Sequence, residues 1–291
     1  MNFSRKIVDV ESTWGGFYEP DHPQNQPGRE LKVALFGSAT GGQLILESLI
    51  RFNQKNPGLL RLVGMVTDDP VDQKAKISLK KRIWGNYTRE ESADLMNKII
   101  DTSMQAGIPC YTGKVKTNYF RKIFSSWDPD VLIMNCFGQK LDAYLYDYPP
   151  FGAYNFHPSN LASHIGVGAQ PFQEIMRLGL HTSPIVIHKV TEVIDDGPIV
   201  GISPEINIRL HDGSYPLNII TLLHKLNSIT GWMTIDILLE ILEQRSLGKK
   251  GALTYIDFEK KIPKAIKHRL LIPATNELSE KYELPLHPKL I

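Results

Sequence analysis

Asn155-Phe156-His157-Pro158-Ser159 is the segment of this 291-residue chain whose residue types and spacing most invite chemistry. Residues two apart on a β-strand project to one face, so a strand ending at His157 aims the Asn155 amide and the His157 imidazole the same way. An amide donates hydrogen bonds, and an imidazole gains or loses a proton near neutral pH. Asp195, in Val193-Ile194-Asp195-Asp196-Gly197-Pro198, follows a second predicted strand, and Gly197 permits close backbone approach to a ligand. Each residue alone reads more readily as structural. The amide, imidazole and carboxylate together form a candidate catalytic trio at a sheet end, where parallel α/β folds bind ligands.

The glycine turn Gly37-Ser38-Ala39-Thr40-Gly41-Gly42 precedes a predicted helix. Backbone N–H groups at a helix N-terminus can hold a phosphate or carboxylate, which makes Gly37, Ser38, Gly41 and Gly42 candidate substrate-binding residues. The same glycines would let helix and strand pack closely, and both readings stand. Gln43 and Leu44 occupy the places where a phosphate-binding Walker loop needs Lys and Ser or Thr, and the spacing is not G-x-G-x-x-G. Nucleotide hydrolysis and dinucleotide binding are therefore disfavoured. Between Lys74 and Arg89, six basic residues interleave with Trp84 and Tyr87. That run reads first as a solvated insertion, and alternatively as a cover over an anionic acceptor.

Such residues need a scaffold of alternating strands and helices. Leu31 to Phe36, Leu60 to Val66, the Ile108-Pro109-Cys110-Tyr111-Thr112-Gly113 segment, Asp130 to Asn135 and Gly152 to His157 read as strands. Helical spacing follows Gly42 at Leu44, Leu46, Leu49 and Ile50, recurs in Tyr119 to Trp127, and runs long from Pro216 to Glu243. The prediction is an α/β fold, a mostly parallel twisted sheet with helices on both faces. Residues 1–30 read as an N-terminal extension, 31–248 as the catalytic domain and 249–291 as a tail packed on it. A net charge of +2 and 42% hydrophobic residues describe an ordinary folded, soluble chain. With only Cys110 and Cys136, a disulfide framework or cysteine-built metal site is not expected. No signal peptide or membrane span is read, so the expected location is cytoplasmic.

The quoted motifs resemble the enzymes that use 10-formyltetrahydrofolate as formyl donor, among them glycinamide ribonucleotide, methionyl-tRNA and sugar-amine N-formyltransferases. Their N-x-H-x-S and D-x-G-P-I patterns match Asn155, His157 and Ser159, then Asp195, Gly197, Pro198 and Ile199. The resemblance spans about Leu31 to Gly248. It implies a Rossmann-like formyltransferase fold, catalytic roles for Asn155, His157 and Asp195, and no metal. It further implies a folate pocket walled by Phe137, Gly138, Gln139, Lys140, Leu141 and Gly197. Formyl transfer passes through a tetrahedral oxyanion, which Asn155 would stabilise. His157, held near its protonated form by Asp195, would manage protons.

The family's S-L-L-P-x-x-R-G is here Ser159-Asn160-Leu161-Ala162-Ser163-His164-Ile165-Gly166, a departure that bears on the acceptor. Residues 249–291 are too few for the barrel that methionyl-tRNA formyltransferases append. The expected acceptor is a small amine, phosphorylated or nucleotide-linked, with an amino sugar favoured and nucleic acid not expected. Formyltetrahydrofolate hydrolysis, or a silent folate-binding or partner-binding module, is the alternative. Trp232 and Met233 on the long helix read as sheet-facing, with a homodimer face the second reading.

Overall fold

The computed structural model describes residues 4–6, 16–24, 28–69, 95, 97–168, 170–274 and 284–291. The basic run Lys74 to Arg89 lies outside the described residues. Elements are numbered among the described residues. A nine-stranded sheet has the order β1-β2-β5-β4-β3-β6-β7-β9-β10. Its centre is a parallel block of β5 (Cys110–Thr112), β4 (Leu60–Thr67), β3 (Leu31–Gly37), β6 (Val131–Asn135) and β7 (Ala153–His157). Antiparallel strands extend both sides: β2 (Gly16–Glu19) and β1 (Ser4–Lys6) beyond β5, β9 (Val186–Lys189) and β10 (Ile199–Ile202) beyond β7. A separate small pair joins β8 (Thr182–Ser183) and β11 (Ile206–Asn207). The fold is the expected Rossmann-like α/β architecture.

Alternation along β3 builds two layers. Val33 and Leu35 pack on one face with Ile45, Leu46, Leu49 and Phe52 of α1 (Ala39–Lys55). Ala34 and Phe36 face the other way, against Phe120, Phe124 and Trp127 of α3 (Asn118–Trp127) and Leu145 of α4 (Ala143–Tyr146). The first layer also takes α2 (Lys98–Gln105), α6 (Ile219–Asn227) and α7 (Thr230–Ser246). Short helix α5 (Pro171–Arg177) follows the His157 loop, and α8 (Phe258–Lys261) and α9 (Lys264–Leu271) fold back on the core.

Two features depart from the sequence reading. The long helix expected over Pro216 to Glu243 is two helices, because Ser228 and Thr230 turn their hydroxyls back onto the Lys225 and Asn227 carbonyls at the break. Gly16–Glu19 pairs with β5, a strand its mixed polar and aromatic sequence did not announce. Trp232 and Met233 are buried, and the Trp232 indole N–H donates to the Pro285 carbonyl at 2.8 Å. No helix of the described residues is long and apolar enough to cross a membrane.

Candidate active site

Strand β7 supplies Asn155 and His157, and the antiparallel register of β9 sets His188 directly opposite Asn155. Tyr154 and Phe156 join the α1 layer, so Asn155 and His157 turn to the α3 face of the sheet. The Asn155 amide nitrogen lies 3.1 Å from His188 Nε2, and His188 Nδ1 lies 3.0 Å from the Lys189 carbonyl. A carbonyl only accepts, so Nδ1 carries a proton, while Nε2 faces one Asn155 N–H and the Asp195 carboxylate. The other Asn155 N–H is left for a ligand.

Asp195 returns to this pair from the loop between β9 and β10. Its backbone has φ +57°, a left-handed conformation that costs a non-glycine residue energy and marks a site held by its surroundings. Its carboxylate stands 3.5 Å from His157 Nδ1 through one oxygen and 3.5 Å from His188 Nε2 through the other. Gly168 N–H donates to Asp195 Oδ2 at 2.9 Å, joining the loops on either side of the site. Burial raises the Asp195 carboxyl, but His188, His157 and the Gly168 N–H together favour the anion, and the net shift is below the ordinary value.

His157 is the point of correction. Burial of the ring lowers its pKa more than Asp195 and the Gly166 carbonyl raise it, and His188 adds a further lowering, so the net shift favours the neutral imidazole over the near-protonated form expected. His157 Nε2 is 2.7 Å from the Gly166 carbonyl oxygen, which Ser159 Oγ also approaches at 3.3 Å. Nε2 therefore carries the proton and Nδ1, facing Asp195, carries the lone pair. The sequence reading brought Asn155, His157 and Asp195 together and missed His188. Its only signal was a lone imidazole within the apolar run Ile185-Val186-Ile187.

The Phe137–Leu141 turn covers the same sheet face. Phe137 packs edge-on to Phe36 at 5.3 Å, and Leu141 is buried in that core layer. Gln139 is held by the loop beside it, donating to the Gly113 carbonyl at 2.8 Å and accepting from Val115 N–H at 3.2 Å. Gly138 N–H donates to Asp68 Oδ2 at 3.1 Å, and Lys140 is exposed. Gly197 is a packing glycine: a Cβ there would come within 1.7 Å of the Lys189 carbonyl oxygen.

At the other candidate site the glycines let α1 seat against β3. A Cβ on Gly42 would meet the Gly37 carbonyl carbon at 2.4 Å, and one on Gly41 would meet Cys136 Sγ at 2.7 Å. The helix N-terminus already holds a carboxylate: Ala39 N–H donates to both Asp69 oxygens, at 2.9 and 3.0 Å. Ser38 Oγ donates to Asp68 Oδ1 at 2.6 Å.

An open α/β sheet carrying a buried amide, two imidazoles and a carboxylate on one face defines a hydrogen-bonding and proton-transfer site of the doubly wound α/β class. The sequence model described as formyl transferase matches residues 31–217, and the chain belongs to that family. A methionyl-tRNA formyltransferase of Brucella ovis is 34% identical over 115 residues, 37% of this chain and 37% of the relative. One of Thermotoga neapolitana is 30% identical over 105 residues, 36% of this chain and 33% of the relative. The chain thus matches about a third of the length of these curated relatives. In structure, glycinamide ribonucleotide transformylase 1 of Symbiobacterium toebii superposes with TM-score 0.55 at 13% identity, covering 75% of this chain and 91% of that one. That likeness is one of fold.

Proposed function

We propose that the protein transfers a formyl group from 10-formyltetrahydrofolate to the primary amine of a small acceptor. The observation that carries this reading is the convergence of Asn155, His157, His188 and Asp195 at 3.1 to 3.5 Å contacts on one sheet face. Apolar surface for a flat donor ring lies beside the site: Val193 and Ile194 next to Asp195 are exposed, and Phe137 is half-buried. The folate supplies a formyl carbon activated by its bond to N10.

The free Asn155 N–H stabilises the oxygen that gains charge as the amine nitrogen bonds to the formyl carbon. His157 Nδ1 accepts the proton that the amine sheds, and Asp195 stabilises the resulting imidazolium. The same proton passes to N10 as its bond to carbon breaks, leaving the N-formyl amine and tetrahydrofolate. A resting His157 with Nδ1 unprotonated suits this order, because a base must begin with its lone pair free to take a proton.

The acceptor we favour is an amino sugar without a phosphate seated at Gly37 to Gly42, since the Asp69 carboxylate takes the Ala39 N–H there. The test is incubation with 10-formyltetrahydrofolate plus glucosamine, a nucleotide-linked amino sugar or glycinamide ribonucleotide, following free tetrahydrofolate. Release that requires an amine supports transfer. Release without amine means a hydrolase, and saturable binding without release means a silent binding module.

A further inference from the structure

The segment that departs from the family's S-L-L-P-x-x-R-G pattern also grips His157. Gly166, the last residue of Ser159-Asn160-Leu161-Ala162-Ser163-His164-Ile165-Gly166, has φ +67°, and a Cβ there would meet Ser159 Cβ at 2.9 Å and Pro171 Cα at 3.0 Å. Its peptide groups are used on both sides. The carbonyl takes His157 Nε2–H at 2.7 Å, and the N–H donates to Glu174 Oε2 at 2.6 Å. Glu174 stands in the first turn of α5, with Arg177 at 3.5 Å from its other oxygen.

We propose that Glu174 is a positioning residue for His157, acting through Gly166 to fix which imidazole nitrogen carries the proton. An ionised carboxylate makes a short, strong bond to a backbone N–H and so fixes the orientation of the Gly166 residue. With Gly166 pinned, its carbonyl is aimed at the His157 ring. The aimed carbonyl holds the Nε2–H form and leaves the Nδ1 lone pair toward Asp195, the arrangement a proton acceptor needs. The groups that face His157 are Asp195 from the loop after β9, His188 from β9 and, through Gly166, Glu174 from α5 with Arg177 behind it. The proposal rests on the formyl-transfer reading only for the catalytic consequence.

The test separates the two by reading His157 without substrate. Nitrogen-15 NMR of the imidazole in the free protein is expected to show the Nε2–H form in the wild type. Glu174→Gln keeps an oxygen that can accept from Gly166, and should preserve that form. Glu174→Ala, and Glu174→Asp with its shorter reach, should give a mixture of tautomers and a lower His157 titration midpoint, because the Gly166 contact that favours the cation is loosened. Arg177→Ala should leave both unchanged. In turnover, Glu174→Ala should lower kcat roughly tenfold or more with little change in KM, and Glu174→Gln should recover most of it. An unaltered tautomer and midpoint in folded Glu174→Ala and Glu174→Asp would overturn the proposal, whatever the reaction proves to be.

Discussion

Asp69 closes the N-terminus of α1 by taking the Ala39 N–H with both of its carboxylate oxygens, at 2.9 and 3.0 Å. A helix N-terminus attracts anions, and here the chain provides its own. Inorganic phosphate is therefore expected to leave the melting temperature of the wild type unchanged. Asp69→Ser, which removes the charge and opens the turn, should lose about 1 kcal/mol of stability as a weakened cap and regain part of it in phosphate. Phosphate stabilisation of the wild type that Asp69→Ser does not enhance would refute this account of the turn.

The pH dependence of stability follows from the directions at His157 and Asp195. His157 is lowered in the fold, so below about pH 6.5 the unfolded chain takes up a proton that the folded chain still refuses, and stability falls as pH falls. Asp195 is also lowered, so a second loss comes below about pH 3.8, where its unfolded carboxyl protonates first. Denaturant titrations of wild type and His157→Asn between pH 5 and pH 8 should converge as the pH drops, on the order of a pH unit around the ordinary imidazole value. A difference between them that stays constant with pH would show that His157 titrates alike in both states.

Gly197 tests the packing of the Asp195 loop. A methyl group 1.7 Å from the Lys189 carbonyl oxygen must push backbone against backbone, since neither partner is a flexible side chain. Gly197→Ala should cost about 2 to 4 kcal/mol in denaturant unfolding and displace Asp195 from the two imidazoles. A variant of wild-type stability would mean that the loop can shift without strain.

Much of this arrangement was legible in the residues. Alternation put Asn155 and His157 on one face, and the parallel core showed itself through buried runs such as Val131-Leu132-Ile133. What escaped was whatever depends on pairing between distant strands. His188 enters the site only through the β7–β9 register, which no local spacing encodes. The charge of His157 escaped for a related reason: its neighbour Asp195 is visible in sequence, whereas the burial that outweighs it comes from packing. The glycine turn allowed two readings because its sequence does not show that Asp69, thirty residues on, folds back to Ala39.

The most direct test of the account is the fate of a carbon-13 formyl label carried on 10-formyltetrahydrofolate. In the presence of an accepted amine, the wild type should move the label into an N-formyl product. Asn155→Ala and His157→Ala, folded as judged by circular dichroism, should each slow that transfer by roughly a hundredfold or more. Label that stays on the folate or appears only as formate with every amine offered, or transfer that proceeds unchanged in both variants, would contradict it.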